Sequence, residues 1–335
     1  MRKIKGFIDQ IDQHGISGWV VDQENTATDL YVDVEIGNLK FPKVPCNKVR
    51  LDLKKRGMHP TGACGFKIKC LIDKSTPLAA IKASYKDVNL RKSRKLQKAR
   101  LKLLDKNQNT PILFFIHIPK TAGTSFRMML SEQIHQTNTY PNEHLIAANE
   151  ELYPPFEQIF TLEDETLSQL KLISGHYTAV KATLIENRKT LVFLRHPIQR
   201  CISHLFHIKL NDQRFQSANI SLEQIFTQSK RALNNAQVRH LSTIPCTLKL
   251  EEKHLESAKA FLSNCDFVGL TEEFERSIAK FEKQFAFPKK QILQVNTTKS
   301  KHKPTIPTSL YEQIVANNQY DMALYDHAVH IFQED

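Results

Sequence analysis

The ten residues from His117 to Phe126, His-Ile-Pro-Lys-Thr-Ala-Gly-Thr-Ser-Phe, could do chemistry on a phosphate. They place a lysine and three hydroxyl side chains around one glycine. Backbone N–H groups in a loop that leads into a helix can cradle an anion, and the helix dipole favours negative charge there. Lys120 precedes Gly123, so the order differs from the GxxxxGK[ST] loop of nucleotide triphosphatases. An anion site is therefore expected, and an ordinary ATP or GTP site is disfavoured.

The elements around this segment must position its side chains. The apolar run Ile112 to Ile118 predicts a buried strand, and apolar residues at 126, 129, 130 and 134 predict a helix after the loop. Two further strands are predicted, one ending at Gly175-His176 and one ending at Arg195. Ligands of open parallel sheets bind at the carboxyl ends of strands, so these three ends should converge.

The segment His117 to Phe126 resembles the 5′-phosphosulfate loop of sulfotransferases. The segment from Arg195 to Ser203 resembles their 3′-phosphate segment. The resemblance is to the carbohydrate, 2-O-sulfotransferase-like group of sulfotransferase family 2, in a bacterial-type form without a membrane anchor, and it runs from about Ile112 to Phe332. It implies an α/β fold with a P-loop-kinase-like parallel sheet flanked by helices. It also implies sulfuryl transfer from 3′-phosphoadenosine 5′-phosphosulfate (PAPS) to an acceptor hydroxyl, here expected on a carbohydrate or glycan.

This resemblance also implies roles for individual residues. Lys120 would stabilise charge on the leaving phosphate, and His176 would take the proton of the acceptor hydroxyl, since a neutral imidazole can act as a base near physiological pH. Relatives carry His-Gly-His at this point, and only the second histidine is present. Gln237 and Arg239 would lie near the acceptor. The residues expected to bind the cofactor are Lys120, Thr121, Ala122, Gly123, Thr124, Ser125, Arg195, Ser203, Thr297 and Lys299.

In-line sulfuryl transfer requires no metal, and we predict no metal site. His204 and His207 lie about one helical turn apart, but no carboxylate or cysteine completes a ligand set with them.

Length and pattern divide the 335 residues into three parts. Residues 1–87 are predicted to form a small all-β accessory domain, because Tyr31 to Ile36 alternates, Gly37-Asn38 can turn and a second strand follows. Trp19 is expected to anchor its core. Residues 88–110 are predicted to be a basic linker helix, and residues 111–335 the catalytic domain.

The net charge of +12 implies anionic partners, of which a glycan or another hydroxyl-bearing acceptor is expected and nucleic acid is not. The basic stretch 91–106, interrupted by leucines, could touch a membrane peripherally, although a solvated linker helix is the preferred interpretation. Six scattered cysteines and the lack of a long apolar segment favour a cytoplasmic protein.

Two alternatives to a sulfotransferase remain open at this point. A nucleotide-dependent kinase of similar fold would require metal ligands and magnesium. A non-catalytic binder of anionic polymers would use the basic linker and the net charge, and its binding would depend strongly on salt.

Overall fold

The computed structural model describes residues 4–12, 15–24, 29–70, 72, 80–93, 110–142, 146, 153–162, 164–216, 220–246, 249–288 and 306–334. Backbone contacts divide the chain into two units. One comprises Met1–Asn107 with Glu157–Gln169, and the other Gln108–Phe156 with Leu170–Asp335. Within the described residues, none of the helices has the length and apolar content needed to span a bilayer.

The strands of the N-terminal unit form two sheets. The first sheet has the order β5-β6-β2-β1-β9 and the second the order β4-β3-β7-β8. The strands are β1 (Ile4–Asp12), β2 (Gly15–Asp22), β3 (Tyr31–Ile36), β4 (Leu39–Pro45), β5 (Lys48–Val49), β6 (Ala63–Lys69), β7 (Ile81–Tyr85), β8 (Val88–Asn89) and β9 (Arg91–Lys92). A five-residue helix, α1 (Leu51–Lys55), accompanies them.

Alternation along β3 explains the second sheet of this unit. Val32, Val34 and Ile36 are buried, whereas the residues between them are exposed or half-buried, so one face packs on the core. Ile36 pairs with Leu39 across the predicted hairpin turn. Trp19 is 6% exposed and packs on the Phe7 ring at 5.5 Å between centroids. The prediction of an N-terminal all-β region is confirmed, with helix α1 as an addition to it.

The described start of the segment 88–110 is strand rather than helix. Val88 pairs with Tyr85 across a two-residue turn, and Lys86 and Asp87 both have positive φ, at 46° and 61°. Arg91 and Lys92 pair with β1, so these residues complete the N-terminal sheets. Residues 94–109 lie outside the described residues, and the linker helix, its membrane contact and the domain boundaries stay predictions.

The second unit contains a sheet in which every strand pairs in parallel, in the order β11-β12-β10-β13-β14. Its strands are β10 (Ile112–Ile116), β11 (Thr139–Tyr140), β12 (Leu172–Gly175), β13 (Arg188–Leu194) and β14 (Phe267–Leu270). Strand β10 lies between β12 and β13, and Ile116 pairs with Gly175 on one side and Val192 on the other. The carboxyl ends of these three strands therefore meet at one edge.

Helices follow these strands along the chain. They are α2 (Gly123–Gln133), α3 (Asp164–Gln169), α4 (Ala179–Ala182), α5 (Pro197–Asn211), α6 (Gln213–Gln216), α7 (Leu222–Gln228), α8 (Lys230–Leu233), α9 (Ala236–Leu241), α10 (Glu252–Ser263), α11 (Phe274–Gln284), α12 (Thr308–Ala316) and α13 (Gln319–Glu334). In the part of the chain that the structure describes, short 3₁₀ helices span Gln136–Asn138, Phe156–Thr161 and Thr271–Glu273. Apart from α3, which belongs to the first unit, these helices flank the parallel sheet, and the predicted α/β fold is confirmed.

Aromatic rings fix helix α2 against the sheet. The Phe126 ring is fully buried and lies 4.9–5.9 Å, between centroids, from the rings of Phe193, Phe267, Phe115 and Phe281. Each such ring buries on the order of 150–250 Å² and dominates the local packing energy. Because Phe126 follows the Lys120 to Ser125 loop directly, this packing holds the start of α2 at a fixed distance from the sheet edge.

Candidate active site

The loop between β10 and α2 has two residues in the left-handed region. Lys120 has φ 71° and Ala122 has φ 60°, a conformation that is uncommon for residues with a Cβ. The Thr121 hydroxyl is buried and donates to the carbonyl of Ile118 at 2.9 Å, which ties the loop together. Left-handed residues within a turn bring successive N–H groups toward one point and create an anion-binding concavity. The backbone thus has the form expected of a phosphate cradle.

Gly123 is required by the ring of His117. A Cβ at position 123 would lie 2.0 Å from Cδ2 and 2.4 Å from Nε2 of that ring. His117 is 5% exposed and stacks on Phe115 at 5.6 Å between centroids. Its Nδ1 lies 2.8 Å from the hydroxyl of Tyr153. The imidazole is therefore wedged between the sheet and the first residue of α2.

His176 lies directly beside His117. The His176 Nδ1 is 2.7 Å from the carbonyl oxygen of His117, and the two ring centroids are 4.8 Å apart. A carbonyl oxygen can only accept, so Nδ1 of His176 carries the hydrogen and Nε2 keeps its lone pair. The Tyr153 ring meets the His176 ring edge-on at 4.5 Å. This contact set fixes the tautomer in which Nε2 can accept a proton.

Both imidazoles are held in the neutral form. Burial lowers the pKa of His176 below its usual 6.5, and the bond to the His117 carbonyl opposes this only in part. Burial is the main cause that lowers the pKa of His117 well below 6.5, and the nearby groups His176, Arg127 and Lys120 act in the same direction. The His176 side chain is nevertheless exposed to solvent. A neutral, accessible imidazole of fixed tautomer is suited to act as a general base.

Arg195 reaches the loop from the end of the neighbouring strand β13. Its Nη1 donates to the carbonyl of Lys120 at 3.3 Å. Burial lowers the pKa of Lys120, and the charge of Arg195 lowers it further. The structure thus brings together two cationic residues that are 75 residues apart along the chain. Like charges held this close create a positive potential that favours an anionic ligand.

Gln237 fixes the backbone of Arg195 through both ends of its amide. The Arg195 N–H donates to Oε1 at 3.0 Å, and Nε2 donates to the Arg195 carbonyl at 2.9 Å. Gln237 is fully buried. Its observed bonds therefore position Arg195, and the acceptor contact expected of it stays a prediction. Arg239 is half-buried, and its Nε donates to the Asn234 carbonyl at 3.0 Å.

His196, the residue after Arg195, is held by the segment that follows β14 and by the C-terminal helix α13. The His196 N–H donates to Oε1 of Glu272 at 3.0 Å, and the Tyr325 hydroxyl donates to Oε2 of the same carboxylate at 2.8 Å. The Thr271 hydroxyl donates to the Leu194 carbonyl at 3.0 Å. The end of β13 therefore has little freedom to move.

Helix α5 adds further cationic and polar groups. Arg200 is fully buried, and its Nη2 donates to the Leu233 carbonyl at 2.9 Å, whereas Nε and Nη1 have no hydrogen-bond partner. His204 also has an unpartnered buried Nδ1, and burial together with the charges of Arg200 and Lys120 lowers its pKa to about 3. Ser203 is half-buried on the same helix. Arg200 therefore keeps guanidinium donors without a partner among the described residues, whereas the neutral His204 ring offers no second donor.

The structure describes some of the remaining predicted residues and not others. Ala122 caps α2 with left-handed backbone, Thr124 is exposed and Ser125 is buried at the start of that helix. Thr297 and Lys299 lie outside the described residues. Among the described residues, no group of three or more His, Cys, Asp or Glu side chains is arranged to hold a metal ion. The absence of a metal from the reaction stays a prediction.

Sequence reasoning missed the residues that support the site from a distance. His117 could have been identified as a site residue from the sequence, because it is the first residue of the motif His117 to Phe126. No local pattern indicated which partners Tyr153, Glu272 and Asp321 would have, because each reaches its partner from a remote part of the chain. Asp321 is fully buried and accepts from the N–H groups of Gln237 and Val238 at 3.0 and 2.8 Å.

Comparison with known proteins agrees with this geometry. The model of the sulfotransferase family matches residues 107–328, which is more than half of the chain. An uncharacterized protein of Archaeoglobus fulgidus is 24% identical over 257 residues, covering 68% of this chain and 99% of the relative. The chain belongs to the sulfotransferase family. That membership supports a transferase that moves a sulfuryl group from a sulfate donor.

Proposed function

We propose that the protein transfers a sulfuryl group from PAPS to a hydroxyl of a carbohydrate. The observation that carries the proposal is the contact between the Arg195 guanidinium and the Lys120 carbonyl, with His176 bonded to the carbonyl of His117 at the same edge of the sheet. One loop thereby brings together two cations and a neutral base, which are the groups that this reaction requires.

Each of these residues has a separate role in the proposed transfer. Nε2 of His176 takes the proton of the acceptor hydroxyl while that oxygen forms its bond to sulfur. The bond from sulfur to the phosphate oxygen breaks, and the charge left on that oxygen is stabilised by the Lys120 ammonium and the loop N–H groups. Arg195, and Ser203 on the following helix, would hold the 3′-phosphate. Arginine offers paired, charge-assisted bonds to such a group.

The test is a transfer assay with ³⁵S-labelled PAPS across a panel of polysaccharides. Lys120→Ala and His176→Ala should each lower turnover by at least 100-fold, within the range that electrostatic and general-base groups contribute. Lys253→Ala and His330→Ala are matched controls, because both side chains are more than half exposed and pair with neighbouring glutamates.

A calorimetric titration with adenosine 3′,5′-bisphosphate separates binding from chemistry. His176→Ala should bind this product like the unmodified protein, and Arg195→Ala should bind it at least tenfold more weakly, the loss expected for one charge-assisted contact. Normal turnover of the His176 variant would refute the base assignment. Transfer from ATP that requires magnesium would favour the kinase alternative. Salt-sensitive polymer binding without affinity for the bisphosphate would favour the polymer binder.

A further inference from the structure

The N-terminal unit exposes two neighbouring aliphatic side chains where strand β5 leads into helix α1. Val49 is the last residue of β5 and Leu51 is the first residue of α1. They are 61% and 62% exposed. A single exposed apolar residue needs no explanation, but two neighbouring ones form a small apolar surface that water solvates poorly.

The backbone directs both aliphatic side chains to the same side of this segment. A Cβ at Gly65 of β6 would lie 3.2 Å from Cβ of Lys48 and 3.1 Å from Cγ of Arg50, so these two side chains lie over β6. Alternate residues of an extended segment point in opposite directions. Val49 and Leu51 therefore point together, away from the side that Lys48 and Arg50 occupy.

Helix α1 adds cationic side chains to this apolar pair. Residues three and four apart share one face of a helix, so Lys54 and Lys55 lie on the face of Leu51. Both lysines are exposed, and so is Arg56 directly after the helix. Leu53 points the other way, is 2% exposed and packs in the core of the unit. The buried leucine thus fixes the helix with its lysines and Leu51 outward.

The carboxylate within the same helix is already engaged elsewhere. The two oxygens of Asp52 accept from Arg50, each at 2.9 Å, and Arg50 also pairs with Asp9 of β1. The Arg50 N–H donates to the Gly62 carbonyl at 2.8 Å, which closes the loop that carries α1. An added Cβ at Gly57 would have no atom within 4 Å, so the turn after the helix projects into solvent. The result is a fixed surface with an apolar centre and cationic side chains around it.

We propose that this surface, the β5–α1 patch of Val49, Leu51, Lys54, Lys55 and Arg56, docks the N-terminal unit onto an anionic lipid bilayer. The two aliphatic side chains would enter the headgroup region, where they leave water, and the three cations would meet the lipid charges. The inference does not depend on the proposed transfer reaction, and it concerns a different segment from the basic stretch 91–106.

The composition of the β5–α1 patch favours lipid over other anionic or apolar occupants. A soluble polyanion would engage the cations and gain nothing from the aliphatic pair. A symmetric contact with a second copy would bring the same lysines of both copies together, and like charges repel. A folded protein partner normally covers about 800 Å² on each side, whereas shallow insertion into a bilayer needs only a few side chains.

Vesicle cosedimentation tests the charge on the patch. The full-length protein should bind mixed phosphatidylcholine–phosphatidylserine vesicles about tenfold or more tightly than phosphatidylcholine vesicles, and high salt should reduce the difference. The double variant Lys54→Gln, Lys55→Gln should weaken binding to the mixed vesicles by roughly 25-fold, about fivefold for each lysine. The matched control is Leu39→Ser, Lys40→Gln, because Leu39 is 52% exposed and Lys40 lies opposite Glu35 in the same unit. That control should bind like the unmodified protein.

Tryptophan quenching by brominated lipids tests the insertion of the aliphatic pair. The chain has one tryptophan, Trp19, which is 6% exposed and gives a constant background. Brominated lipid in the mixed vesicles should quench the tryptophan of Leu51→Trp and not that of Leu39→Trp. Leu51→Ser should weaken vesicle binding by about tenfold. These substitutions replace exposed side chains, so urea unfolding and bisphosphate binding should match those of the unmodified protein.

Several results would overturn the inference. Unchanged vesicle binding by the double lysine variant would assign the contact to another segment, such as the stretch 91–106. Vesicle binding without quenching of Leu51→Trp would mean that the aliphatic pair stays in water. A dextran sulfate or oligonucleotide that binds where the mixed vesicles do not would assign the patch to a soluble polyanion, and self-association lost in Leu51→Ser would assign it to a second copy. Failure of the proposed function would appear separately, as no bisphosphate binding and no sulfuryl transfer.

Discussion

Substitution of Gly123 by alanine should damage both stability and turnover through a single contact. The new Cβ would lie 2.0 Å from the His117 ring, whereas ordinary contacts begin near 3.4 Å. The ring would have to retreat by roughly 1 Å or more, yet Phe115 stacks on it, Tyr153 is bonded to it and His176 lies beside it. Overpacking of this kind costs about 1–3 kcal/mol. A misplacement of about 1 Å near reacting groups can cost on the order of 100-fold in rate.

A double-mutant cycle isolates this contact. His117→Ala removes the ring but keeps the backbone carbonyl that accepts from His176. In that background Gly123→Ala places a methyl group where the ring edge was, so its extra cost should nearly vanish. Urea unfolding should therefore give a coupling free energy of about 1–3 kcal/mol between the two positions. The turnover lost in Gly123→Ala should also be partly restored in the double variant.

Gly57→Ala is the control for the loss of glycine itself. Gly57 has φ 66° and no atom within 4 Å of an added Cβ, so the change costs about 1 kcal/mol through its backbone conformation and leaves turnover unchanged. If Gly123→Ala proved equally destabilising with and without the His117 ring, the steric reasoning would be refuted, and the cost would lie in the loop backbone instead.

Three further predictions concern pH and buried charge. Burial lowers the pKa of His176 below 6.5, so the acid limb of the kcat/KM profile should lie below pH 6.5. Burial lowers the pKa of His240 to about 4, so the unfolded chain takes up that proton first and the unfolding free energy should fall as pH drops from 6.5 towards 4. His240 contributes at most about 1.4 kcal/mol per pH unit to this slope, beside other buried histidines, and His240→Gln should reduce the slope measured by urea unfolding by that contribution. Asp321→Asn should destabilise by about 3–5 kcal/mol, because it removes a buried negative charge that acts on Arg200, whereas exposed Asp326→Asn should change unfolding by less than about 0.5 kcal/mol.

Each of these predictions has an outcome that contradicts it. An acid limb at or above pH 6.5 would show that His176 is not a desolvated general base. A stability slope that His240→Gln leaves unchanged would assign the proton uptake to other groups. Equal unfolding midpoints for the two aspartate variants would mean that Asp321 does not balance Arg200.

The strand, loop and helix at the candidate site were predictable because their signals are local. An apolar run, a glycine and helical spacing within 25 residues define β10 and α2. The meeting of Lys120 and Arg195 followed from a general property of parallel sheets, in which the carboxyl ends of strands share one edge. These inferences required no knowledge of which side chains touch.

The supporting contacts could not be predicted, because the residues that make them are far apart along the chain. Tyr153 reaches His117 across 36 residues, and Gln237 reaches Arg195 across 42 residues. No periodic pattern in the sequence indicates such pairs, since each depends on how remote elements pack. The strands after Tyr85 were missed because a Lys-Asp turn with positive φ replaces the Asn-Gly signal of such hairpins.

Helix α9 carries two of the residues that the sequence predicted for the site. Gln237 fixes the backbone of Arg195, and Arg239 donates to the Asn234 carbonyl. The helix has six residues, a length at which isolated helices are unstable in water, so its position must be imposed by its surroundings.

That constraint comes from the C-terminal helix. Asp321 accepts from the first N–H groups of α9, and the Asp321 N–H donates to Oδ1 of Asn235, so each segment caps the other. Asn235 itself has left-handed backbone, with φ 46°, and the paired bonds offset that strain. One buried carboxylate from α13 thereby sets the position of the helix that carries Gln237, and through Gln237 it also sets the backbone of Arg195.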